Sequence, residues 1–345
     1  MAEPFPFAKY FGEMNLLSAL QVSDEEKLFF DHVPRDPAAK EFVLYLGCNV
    51  LRTAHLAQTA ITVLRAMGFD FSAVGGPAYC CGIVHHRAGE RDASRAFTAN
   101  SMRHVMDFEP SKVIMWCPSC NEHYSDVVAR EQEIPFPYEH VTSFIARQLD
   151  RARFVRRVDK RVALHYHTGH PQQDSDWAST RTILKAIPGI EYVEVPNTPA
   201  FGRHCSANYI GKLGRPAWQA EMTKVADAAE AGGADILGTI YHSCHREICD
   251  NEGRYPFEVV NYITLMAEAM DLPTPPDWYK AQKLRGDPEA TFEEIRAVVD
   301  ARGLNAERVR EVLTKSFAPA CETPSAPAQP SPASPSAPPP STPRA

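Results

Sequence analysis

No stretch of the 345-residue sequence approaches the run of roughly 20 apolar residues that a spanning helix requires, so an integral membrane segment is not expected. A basic run able to displace phosphate counterions is missing too. Thirty-six Lys and Arg stand against 43 Asp and Glu, a formal net charge of −7, which argues against a dedicated nucleic-acid binder. The start, Met1-Ala2-Glu3-Pro4-Phe5, lacks a basic segment leading into an apolar core. No export signal is read there, and a cytoplasmic location is expected. What remains is ordinary globular material, 44% hydrophobic and 23% charged, long enough for two domains or one large α/β body.

Cysteine is where the sequence departs from the ordinary. There are nine, an odd number, and five of them (Cys48, Cys80, Cys81, Cys117 and Cys120) fall within 73 residues. In a chain expected to be cytoplasmic, clustered cysteines point to metal ligands or redox thiols rather than structural disulfides.

The apolar pattern supplies a frame. Ser23-Asp24-Glu25-Glu26 predicts a helix start capped by Ser23. Phe42 to Leu46, ending in Gly47, and Val113 to Trp116 read as strands buried on both faces, with helices from about Leu51 to Met67 and just after Cys117. Short strands alternating with helices predict a mainly parallel α/β sheet.

The frame repeats. Gly68-Phe69-Asp70-Phe71 leading to Pro77 is echoed by Gly189-Ile190-Glu191-Tyr192 leading to Pro199, and Pro137-Tyr138-Glu139 by Pro256-Phe257-Glu258. Cys81 and Cys120 are 39 apart, as are Cys205 and Cys244. Two homologous halves are expected, 41–150 and 160–272, after an extension at 1–40. Two short helices follow within 273–317, and 318–345 reads as a disordered Pro/Ala/Ser tail that includes Cys321.

Each part of the first cysteine set has a physical reading. Cys48 follows a strand directly, which puts it at the carboxyl edge where open α/β sheets carry ligands. Adjacent residues of a regular strand point to opposite sides, so Cys80 and Cys81 converge only in an irregular loop, for which Gly82 supplies freedom. Cys117-Pro118-Ser119-Cys120 sets two sulfurs on one side of a first helical turn, with proline where no donor is lost. Five soft thiolates suit iron–sulfur, whereas zinc closes its shell with four ligands. A thioredoxin-type Cys-Pro-Ser-Cys pair, a structural zinc site and a set of unrelated buried core thiols are the competing readings.

The spacing Cys-x31-Cys-Cys-Gly-x34-Cys-x2-Cys resembles the CCG domain of the heterodisulfide reductase B-type subunits and their relatives, over about residues 41–272. The resemblance implies two Rossmann-like halves and a non-cubane [4Fe-4S] cluster on Cys48, Cys80, Cys81, Cys117 and Cys120, where a disulfide is cleaved or formed. The closely spaced ferredoxin insert Cys-x2-Cys-x2-Cys is absent here, so electrons are expected to pass to or from a partner subunit. Broken second motifs resemble B-type subunits of the sulfur-oxidising version of this complex. Flavin-bearing A-type and ferredoxin-like C-type subunits, a second B-type chain and a lipoate-carrying protein are the implied partners. A non-catalytic electron relay and a zinc-thiol redox protein without iron are the alternatives.

By the repeat's own spacing, Cys205 answers to Cys81 and Cys244 to Cys120, while His204 stands for Cys80, Tyr241 for Cys117 and Thr168 for Cys48. This half is expected to lack the cluster. It is rich in His165, His167, His170, His204, His242, His245 and Cys249 besides. Cys205, Cys244, His204 and His242 form the first-choice zinc set. Alternatively, Cys205 or Cys244 is a substrate thiol, joining Cys81 as the candidate catalytic residues, or the half is scaffold. His85, His86 and Arg87 are read as facing an anionic substrate or solvent, Asn121 and His123 as cluster neighbours or helix surface, and the arginines of 151–157 as a docking or solvated face.

Overall fold

The computed structural model describes residues 5–195 and 205–318. The chain enters through α1 (Phe7–Gln21) and then builds β1 (Phe42–Gly47), α2 (Ala54–Ala66), β2 (Phe71–Gly75), α3 (Ile83–Arg87), α4 (Arg91–Met106), β3 (Lys112–Met115), α5 (Pro118–His123), α6 (Ala129–Glu131), β4 (Tyr138–His140) and α7 (Val141–Ala146). The second series is β5 (Arg161–His165), α8 (Pro171–Ala186), β6 (Glu191–Val193), α9 (Ala207–Leu213), α10 (Arg215–Ala231), β7 (Ile236–Thr239), α11 (His242–Ile248), β8 (Glu258–Asn261) and α12 (Tyr262–Ala269). Helices α13 (Trp278–Arg285), α14 (Pro288–Ala301) and α15 (Ala306–Phe317) close it. All strand pairs are parallel, and the two sheets share one order, β2-β1-β3-β4 and β6-β5-β7-β8. The chain is thus α/β with two Rossmann-like halves.

Burial on both faces explains why β1 reads as an unbroken apolar run. Phe42, Leu44 and Leu46 face an apolar core shared with the second half. Val43 and Tyr45, on the opposite side, pack with Met115, Tyr124 and three of the cysteines, Cys81, Cys117 and Cys120. The cysteines therefore belong to the core of one sheet face.

One expected element differs. Ser23 and Glu26 do make the reciprocal cap, Glu26 N to Ser23 Oγ at 3.2 Å and Ser23 N to Glu26 Oε2 at 3.1 Å, but they close only a turn. The chain then runs extended, because Phe30 exchanges backbone hydrogen bonds with Ala73 and Gly75 beside β2. The helix lies earlier, at α1. The tail from residue 319 onward, Cys321 and His204 lie outside the described residues.

Candidate metal and thiol centres

Three parallel strands deliver the first-half cysteines to one sheet edge. Cys48 follows β1 directly, Cys117 caps α5 just after β3, and Cys80-Cys81 lies in the loop between β2 and α3. Pro118 occupies the first turn of α5, where its missing N–H costs nothing. Gly82 turns the doublet with φ +81°. A Cβ there would stand 2.5 Å from Ser94 O, so no other residue fits. Gly47 has φ +74°, and a Cβ on it would lie 2.9 Å from Cys117 Cβ and 3.0 Å from Cys120 Sγ. The sulfurs thus occupy a hollow that a glycine keeps open.

All five thiols are buried and unpaired by disulfides. Cys48 hydrogen-bonds Cys80, while Cys120 hydrogen-bonds both Cys117 and Cys81. The hydrogen bond from Cys48 holds Cys80 below the usual thiol range, against its burial. Cys120 does the same for Cys117, aided by His242 from the second half. Their donors, Cys48 and Cys120, are pushed well above that range, first by those same hydrogen bonds and then by burial. Tyr10 of α1 lies beside Cys48 and Cys117, with the Arg52 guanidinium 5.6 Å over its ring. Five cysteine sulfurs gathered in a dry hollow fit a soft polynuclear centre such as iron–sulfur.

The second sheet presents a different set at its matching edge. Register pairs Tyr45 with Met115 in one sheet and His165 with Thr239 in the other. His165 therefore occupies the place of Tyr45, and His167 that of Gly47. His165 Nε2 lies 3.3 Å from Cys205 Sγ and His167 Nε2 3.1 Å from Cys244 Sγ. The ligand atoms of all four residues lie within 4.8 Å of one another. Cys205 and Cys244, also read as substrate thiols, are each only 1% exposed. The first-choice set is thus brought together only in part. Cys205 and Cys244 meet, but His242, after Tyr241 in the first turn of α11, reaches Cys117 instead. His165 and His167 are among the possible ligands read from the sequence but fall outside the first-choice set, which follows the positions of the cysteine motif rather than strand register. The available signal was two histidines at alternate positions of a strand end, which share one face.

Other candidates fall elsewhere. His85 is buried and stacked between Phe7 and Phe97, centroids 3.9 and 4.3 Å away, with its Nδ1 3.4 Å from the Glu90 carboxylate. Asn121 is buried and donates to Gln172 across the two halves. Burial lowers His123 to about 4. His245 turns to Asp277, Nε2 to Oδ2 2.6 Å, and His170 pairs with Asp126 at 3.2 Å. Cys249 is buried, and burial raises its thiol to about 12. Among the described residues no helix is long and apolar enough to cross a membrane.

The family model for the CCG cysteine-rich domain matches residues 42–123, which span the whole first cysteine set. The chain thus carries a CCG cysteine-rich domain over these residues. The CCG protein is 27% identical over 246 residues to the D-subunit of the dihydromethanophenazine:CoB--CoM heterodisulfide reductase of Methanosarcina barkeri, covering 68% of this chain and 60% of that one. It is 24% identical over 245 residues to the B-subunit of the fumarate reductase (CoM/CoB) of Methanothermobacter marburgensis, covering 70% and 48%. The chain spans about 60% of the length of the first of these relatives. A hypothetical protein of known structure from Helicobacter pylori aligns at TM-score 0.49 and 11% identity, covering 79% of this chain and 55% of that one.

Proposed function

We propose that the CCG protein is an iron–sulfur redox subunit in which Cys48, Cys80, Cys81, Cys117 and Cys120 hold one non-cubane [4Fe-4S] cluster. The observation that carries this reading is the convergence of five buried thiols at the carboxyl ends of three neighbouring strands. Such a cluster supplies one-electron steps for conversion of disulfide, thiol or sulfane sulfur. The chain's own residues do the rest. Gly47 keeps the hollow open, Cys80 and Cys117 are held toward thiolate, and His242 hydrogen-bonds Cys117. Names of the relatives support an oxidoreductase complex. We place the protein in the cytoplasm as the B-type member of a sulfur-oxidising heterodisulfide reductase-like complex. Its partners there are a flavin-bearing A-type subunit, a ferredoxin-like C-type subunit, a second B-type chain and a lipoate-carrying protein.

Burial supports a second reading. With every one of these cysteines at 5% exposure or less, the cluster is an electron relay and another chain performs the sulfur chemistry. Anaerobic purification with iron and sulfide analysis tests both, with roughly four irons and matching sulfide expected. Iron-free protein overturns both. A paramagnetic resonance signal that changes on adding thiol favours catalysis at the cluster, and an unchanged signal favours the relay.

A further inference from the structure

The four residues at the rim of the second sheet have the composition and compactness of a closed single-ion site. We propose that His165, His167, Cys205 and Cys244 bind one structural zinc ion. This goes beyond the cluster of the first half and does not rest on it.

Geometry carries the proposal. Zinc bonds of about 2.3 Å to sulfur and 2.0–2.1 Å to nitrogen, at tetrahedral angles, set nitrogen and sulfur about 3.5 Å apart. The observed separations are 3.3 Å for His165–Cys205 and 3.1 Å for His167–Cys244. The sulfurs of Cys205 and Cys244 also contact each other. A binuclear iron–sulfur centre with two histidines would put the imidazoles on one iron and the thiolates on the other, pulling nitrogens away from sulfurs. Here each nitrogen instead touches a sulfur, as neighbours around one ion do.

Burial and charge agree. Relative exposures are 0% for His165, 2% for His167 and 1% for each cysteine, leaving no coordination position turned to solvent, the mark of a structural site. Two thiolates cancel the charge of a divalent ion, so the filled site is neutral in a dry interior.

The local fold explains how the ligands are held. Alternate residues at the end of β5 supply both imidazoles on one face, the first turn of α11 supplies Cys244, and Cys205 precedes the Ser206 cap of α9. The ion therefore joins β5, α11 and the start of α9. In the first half, the place of His167 is a glycine, and that space is taken by thiols. One scaffold thus holds two different inorganic centres, depending on whether a ring or a hydrogen occupies that position.

The test uses the full chain, purified anaerobically without chelator, with zinc and iron counted separately and X-ray absorption recorded at the zinc edge. One zinc per chain is expected, in a shell of two sulfurs at about 2.3 Å and two nitrogens at about 2.0–2.1 Å. Cys205→Ser and His167→Ala are expected to lose zinc and keep iron, while Cys48→Ser loses iron and keeps zinc. A four-sulfur shell, a shell without sulfur, protein that takes up no zinc from zinc-containing buffer, or a mapped Cys205–Cys244 disulfide overturns the proposal. The absorption spectrum needs no variant, so misfolding of a substituted chain does not shield the idea. Zinc found in iron-free protein would support this site and reject the cluster.

Discussion

Gly47 concentrates the chemistry of the first centre in one missing side chain. Its φ of +74° and the 2.9 Å approach of Cys117 Cβ mean that even a methyl group must move a ligand. The left-handed backbone alone costs a non-glycine residue about 1–2 kcal/mol. Gly47→Ala is therefore expected to lower the unfolding free energy by at least that amount and to cut the iron bound per chain severalfold. Iron analysis beside a urea titration checks it. Full iron loading with unchanged stability would remove the cradle assigned to this glycine.

At the scale of elements, α1 is fastened from the far end of the chain. Glu13, 1% exposed, accepts from Lys315 of α15 at 2.7 Å, with Arg308 at 3.7 Å and Arg52 at 3.5 Å. A hydrogen bond to a charged group contributes about 1.5–3 kcal/mol, and Glu13→Ala also leaves cations without their partner. The variant is expected to lose stability in that range and to raise amide exchange in α1 and α15 together. Exchange confined to α1 would contradict the coupling. Elements such as these also mark where the sequence can be read. Strands β1 and β3 were legible because burial on both faces leaves an apolar run, whereas 273–317 holds three helices, α13, α14 and α15, where the sequence pattern predicts two. The cap at Ser23 was legible as a cap but not as a turn, since what halts the helix is Phe30 pairing beside β2, a contact 44 residues from its partner Val74. The five cysteines stood out through their spacing. His165 and His167 acquire their partners only through strand register, which matching cysteine to cysteine does not convey.

Across the whole molecule, the halves are tied through a buried polar knot. Asp176 of α8 pairs with His140 Nδ1 at 2.9 Å and accepts from Thr142 at 2.7 Å, Gln172 at 2.6 Å and Tyr241 at 2.8 Å. Removing one partner of a buried ion pair costs about 3–5 kcal/mol, so Asp176→Ala is expected to destabilise the chain by that much in urea denaturation. The groups acting on His140 are Asp176, the Trp116 carbonyl, Thr142, Tyr241 against its ring, and Cys117. Although burial opposes it, Asp176 raises the histidine's proton affinity above the ordinary value. Its contribution is then fully present below about pH 6.5, where the unfolded histidine is also charged, and is lost as pH rises through the raised folded value. The stability gap between wild type and Asp176→Asn should accordingly narrow as pH rises above about 6.5, and a gap that widens would refute the assignment.

His242 draws the halves together more consequentially than any salt link, because it ends against Cys117. A chain cut before β5 would bare that sulfur on its inner flank and remove one of the hydrogen bonds that hold it below the usual thiol range. The thiol-poor half thereby supplies part of the immediate surroundings of a ligand candidate in its thiol-rich sister.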